Sequence, residues 1–91
     1  QELRRSLSFE PQNALAHILL GNIAGKTNRF DDAKFHFQEA IAQDPNLHEP
    51  YVNLSIIFLR KGKKDEARKY YQRYLTKGGA ARPQLETRLI N

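Results

Sequence analysis

No cysteine, methionine or tryptophan occurs among the 91 residues of this chain. Without cysteine there can be no disulfide, no zinc–thiolate site and no thiol nucleophile. Long apolar runs are missing as well. The most apolar stretch, Ala14 to Gly25, is interrupted by His17 and Asn22 and falls well short of the roughly 20 residues a membrane-spanning helix needs. No basic opening, apolar core and small-residue cleavage site stand at the start, so no secretory signal is visible, although a mature product with its signal removed would read the same. A chain that opens on Gln1 with no initiator is expected to be a piece of something longer. Fifteen Lys and Arg against ten Asp and Glu leave a net charge of +5, a mild bias toward acidic partners and less than a dedicated nucleic-acid binder carries. What remains is an ordinary globular composition, 40% hydrophobic and 27% charged, in a length that holds one modest core.

The chain repeats itself with a period of 34: Pro11 and Pro45, Lys26 and Arg60, and Phe37 and Tyr71 are all 34 apart. Aligning 14–47 with 48–81 gives five identities, Leu20/Leu54, Ile23/Ile57, Asp31/Asp65, Ala33/Ala67 and Gln38/Gln72, and otherwise keeps residue size in register, as with Gly21 and Ser55. Within each period the apolar spacing is helical. His17, Leu20, Gly21 and Ala24 share one face of a first helix, and Ala33, Phe37, Ala40 and Ile41 form the stripe of a second. Asn28 and Gly62 stand at matching helix stops, because both residue types enter the left-handed conformation readily. Asp31-Asp32 and Asp65-Glu66 place acid in the first turn of each second helix, where it complements the helix dipole. Six helical segments are predicted, near 2–9, 13–26, 30–43, 47–61, 64–77 and 82–90.

This arrangement resembles the tetratricopeptide repeat family, whose 34-residue unit sets large, Leu, small, aromatic, Ala, aromatic, Ala and Pro residues at fixed offsets. His17, Leu20, Gly21, Ala24, Ala33, Phe37, Ala40 and Pro45 fill those slots in the first unit. Tyr51, Leu54, Ser55, Phe58, Ala67, Tyr71, Tyr74 and Gly79 fill them in the second. The resemblance implies an all-α fold, a right-handed α-solenoid of antiparallel helix pairs. It divides the chain into 1–13, the end of a preceding repeat; 14–47 and 48–81, two full repeats; and 82–91, a partial or capping helix. Ala24 stands where an aromatic is expected and should leave room for a neighbour's larger side chain. Tyr74 and Gly79 replace the expected Ala and Pro, so the second unit should end differently from the first.

Catalytic constellations are not apparent. His17, His36 and His48 show no metal-ligand spacing, Ser55 has no nearby His/Asp partner, and Gly78-Gly79 is a helix exit with no strand before it. No catalytic residue, metal or cofactor is expected. In the solenoid that the resemblance implies, the first helix of each pair lines a concave groove that holds a partner's extended or helical segment. Helical geometry puts Leu15, Ile18, Leu19, Asn22 and Lys26 of the first unit on that wall, with Val52, Asn53, Ile56, Leu59 and Arg60 of the second. Ile18, Leu19, Val52 and Ile56 facing solvent together would make an apolar surface larger than a monomer normally shows, which implies a partner or a packing mate. Some family members clamp a C-terminal carboxylate between Lys, Asn and Arg of three first helices. Asn22 and Asn53 match the two Asn positions, but Ile18, Pro83 and Thr87 stand where cations are required, which argues against that clamp.

The expected function is therefore a non-catalytic scaffold that binds a protein or peptide partner. The alternative is self-association, or a scaffold segment within a larger protein. The basic run Arg60-Lys61-Gly62-Lys63-Lys64, continued by Arg68, Lys69, Arg73 and Lys77, reads first as a solvated helix face and second as a weak attraction to anionic surfaces. Neither nucleic acid nor a membrane is the expected partner.

Overall fold

In a computed structural model of the protein, residues 11–90 are described, with side chains from Asn13 onward. Five α-helices follow one another: α1 (Pro11–Lys26), α2 (Phe30–Gln43), α3 (Glu49–Arg60), α4 (Lys64–Thr76) and α5 (Pro83–Ile90). Among the described residues there is no strand, and the architecture is the expected all-helical repeat array. The remaining expected segment, 2–9, lies outside the described residues.

Three of the helices stop by one device. Asn28, Gly62 and Gly78 take φ values of 63°, 81° and 101°, in the left-handed region. In each case the next amide donates to the carbonyl five residues back: Arg29 to Ala24 at 2.8 Å, Lys63 to Phe58 at 2.8 Å, and Gly79 to Tyr74 at 2.9 Å. This is the six-to-one bond of a Schellman closure, which satisfies carbonyls that a helix end leaves orphaned. At the other ends no side chain caps α2 or α4, and acid in the first turn, Asp31 with Asp32 and Asp65 with Glu66, meets the helix dipole instead. Pro50 opens α3 within its first two positions, where its missing N–H costs nothing.

Each pair closes on small residues. Gly21 of α1 lies so near the ring of Phe37 on α2 that a Cβ there would stand 2.6 Å from Phe37 Cε1. In the next pair the small residue is Ser55, fully buried, whose hydroxyl donates to the carbonyl of Ala67 at 2.7 Å. Ala33, Ala40 and Ala67 have no exposed surface, so the helices approach as closely as backbones with methyl groups allow. Next to Ala24, Gly25 lies close to Ile57 Cδ1 of the following pair. Tyr74, in the slot expected to hold Ala, is buried: its ring packs on Gly79, and its hydroxyl donates to the Ala80 carbonyl at 2.7 Å. The second unit thus ends around an aromatic plug, as its departures from the repeat pattern foretold.

Consecutive pairs are tied at their tips. Arg60 at the end of α3 donates to the Gly25 carbonyl and to Asn28 Oδ1, both at 3.2 Å, with its guanidinium over the Phe30 ring. Lys61 bonds Asp31 at 3.2 Å and holds that exposed carboxyl below its ordinary pKa, by the hydrogen bond first and by charge second. At the far end α5 lays Leu85 and Leu89 into the core. Arg68 Nε donates to the Leu89 carbonyl at 2.9 Å, and Tyr71 donates to Glu86 while accepting the Arg82 amide. Burial, ahead of the Glu86 carboxylate, raises the Tyr71 phenol above its ordinary value, so it stays a donor.

Repeat-equivalent positions on α1 and α3 differ in burial among the described residues. Leu54 and Ile57 on α3 are 0% and 3% exposed, because α1 and α2 precede them, while Leu20 and Ile23 on α1, one period earlier, are 46% and 51% exposed. Adding one methyl at the tightest contact should be costly. Gly21→Ala is expected to destabilise the protein by about 1–3 kcal/mol, read as a fall in midpoint of at least about 4 °C in a thermal melt followed by circular dichroism.

Candidate functional site

A cleft of about 230 Å³ lies between α1 and α3, lined by Gly21, Asn22, Gly25, Lys26, Phe37, Asn53, Ile56, Ile57 and Arg60. Its existence follows from the small residues. Gly21 and Gly25 offer no side chains, so the wall is recessed between Asn22 and Lys26 on one helix and Asn53, Ile56 and Arg60 on the next. Among the described residues no carboxylate lines it. Asn53 Nδ2 is buried and has no hydrogen-bond partner among the described residues. An amide nitrogen without an acceptor costs free energy, which any carbonyl brought to it would recover in part.

Of the ten groove residues expected from the sequence, Asn22, Lys26, Asn53, Ile56 and Arg60 meet in this cleft. Leu15 and Leu19 are exposed, at 55% and 61%, and Leu59 is half-buried against the core. Ile18 and Val52 correct the expectation of an open apolar wall: they are 5% and 0% exposed and belong to the core. α1 touches α3 directly, so the stripe assigned to the groove is partly the stripe by which successive first helices meet. Val52 lies one turn from Ile56, which also lines a second cleft with Leu85 and Arg88 of α5. The expected run of Ile18, Leu19, Val52 and Ile56 in solvent is therefore broken, and the exposed large apolar residues are Leu15, Leu19, Leu20, Ile23 and Phe35 on α1 and α2, with Leu75 on α4 and Ile90 on α5.

Much of the basic run is engaged within the fold. Arg60 and Lys61 make the ties above, Arg68 pairs with Asp65 at 2.8 Å, Arg73 lies over the Tyr70 ring and Lys77 over the Tyr51 ring. Lys26, the repeat equivalent of Arg60, has no such tie and faces the cleft.

The histidines separate into two kinds. His48 sits edge-on to Tyr74. His17 and His36, 19 residues apart in the chain, are brought together across the α1–α2 crossing with their Nδ1 atoms 3.0 Å apart. Local spacing could not show this. The signal was that His17 holds the slot facing the second helix of its own unit, beside Phe37. Among the described residues no group of three or more His, Cys, Asp or Glu is placed to hold a metal, and no described helix is long and apolar enough to cross a membrane.

Comparison with known proteins agrees with the geometry. A family model described as tetratricopeptide repeat matches residues 18–86. No curated protein matches the chain.

The two repeat-equivalent cations should separate by role. Arg60→Met is expected to cost about 1–2 kcal/mol through its lost hydrogen bonds, whereas Lys26→Met should change stability by less than about 0.5 kcal/mol, both measured by urea unfolding.

Proposed function

We propose, because this chain belongs to the tetratricopeptide repeat family, whose arrays generally mediate protein–protein interaction and typically lack catalysis, that it is a non-catalytic scaffold holding a partner protein's extended or helical segment in the α1–α3 cleft. Asn22 and Asn53 serve as polar anchors, Ile56 as apolar floor and Lys26 as a cation at the rim. The observation that carries this reading is the Asn53 donor, which has no partner among the described residues, at a recessed wall lined by no described carboxylate. A peptide main chain supplies the acceptor it lacks, and an amide beside it on Asn22 can both donate and accept. In this reading 14–47 and 48–81 are the working repeats, and 82–91 closes the array.

The test is to select binders from a random displayed peptide library and to measure them by fluorescence anisotropy on the native chain and on helical variants. Asn53→Ala should weaken the selected peptides about 3–10-fold, and Ile56→Glu should weaken them further. Peptides that bind both variants as tightly as the native chain would place the binding surface elsewhere.

One observation favours a second reading, self-association. Leu19, Leu20, Ile23 and Phe35 leave an apolar end face on α1 and α2, which a second copy or another segment of a parent protein would cover. Sedimentation equilibrium decides: a mass that rises with concentration and returns to the monomer value in Leu20→Glu supports it, and a monomer at all concentrations removes it.

A further inference from the structure

The pairing of His17 with His36 has no part in the cleft, and its geometry points to a chelate. Both side chains are half-buried, one on each helix of the first pair. Their Nδ1 atoms are 3.0 Å apart with ring centroids at 5.3 Å and planes tilted by 32°, so the two nitrogens face each other head to head. Phe35 closes one side with its ring against His36 at 5.2 Å.

Two nitrogens each about 2.0–2.1 Å from one ion, at the right-angled to tetrahedral openings such ions accept, stand about 2.9–3.4 Å apart. The observed separation falls within that bite. A turn of both rings about their side-chain bonds swings the two lone pairs onto a common point off the line between them. The half-exposed side then leaves the remaining positions to water. We propose that His17 and His36 form a two-imidazole site for a late first-row divalent ion, with copper(II) bound most tightly and nickel(II) and zinc(II) more weakly. In the metal-free pair one ring donates its Nδ1 proton to the other. Both rings enter the metal-bound state as the tautomer protonated at Nε2, so one proton moves between the nitrogens of a single ring through solvent and none is lost. The bound ion staples α1 to α2 and stabilises the folded chain by mass action.

The experiment titrates copper(II), supplied as a weak glycine complex, into the full chain and reads stoichiometry by calorimetry, ligand nitrogens by electron paramagnetic resonance, and the thermal midpoint. One ion per chain, a spectrum with two imidazole nitrogens and a raised midpoint are expected. His17→Gln and His36→Gln should each weaken binding at least about 10-fold, while His48→Gln leaves it unchanged. If either variant fails to fold, the resonance spectrum of the native chain decides alone. A spectrum with fewer than two imidazole nitrogens, affinity unchanged in both variants, or no binding at about 1 mM ion would overturn the site.

Discussion

The structure depends on how closely two helices can approach at one crossing. Gly21 gives the Phe37 ring a seat in which even a methyl group would intrude, and Ala33 and Ala40 keep the rest of that interface thin. Because dispersion falls steeply with distance, a thin interface earns its stability only when filled without gaps, which the ring does. In the next pair Ser55 keeps the spacing by a different means. Its hydroxyl would be an orphan in the core if it did not reach the Ala67 carbonyl.

From that approach the α1–α3 cleft follows. Glycines that let the pair close leave a recess beside α1, and α3 then brings Asn53 and Ile56 to its opposite wall. The tips are locked by Arg60 and Lys61, whose partners Gly25, Asn28 and Asp31 belong to the preceding pair. The cleft is therefore held from below by packing and from its end by charge-assisted hydrogen bonds. In its wall Asn53 Nδ2 has no hydrogen-bond partner among the described residues.

Repeat register made the helices, their stops and the small-residue contacts legible from residues alone. Asn28 and Gly62 were readable because few residue types accept positive φ, and Gly21 because size, unlike chemistry, is conserved in register between the two units. Half of the groove wall was legible for the same reason. Ile18 and Val52 were misplaced because helical periodicity identifies a stripe without saying how wide a neighbouring helix lies across it. The His17–His36 pairing was hidden because it joins two helices through their crossing angle, a property no single-helix pattern encodes. The burial of Leu54 likewise depends on the helices α1 and α2 before it, which its repeat equivalent Leu20 does not have among the described residues.

The most direct test of this account is a double-mutant cycle between Gly21→Ala and Phe37→Leu, measured by urea unfolding. If the close approach of backbone to ring is the constraint that organises the pair, the smaller Leu side chain should absorb the added methyl. The double variant should then be more stable than the sum of the single losses predicts by at least about 1 kcal/mol. Strictly additive losses would mean that Gly21 and Phe37 are not coupled, and would contradict the account.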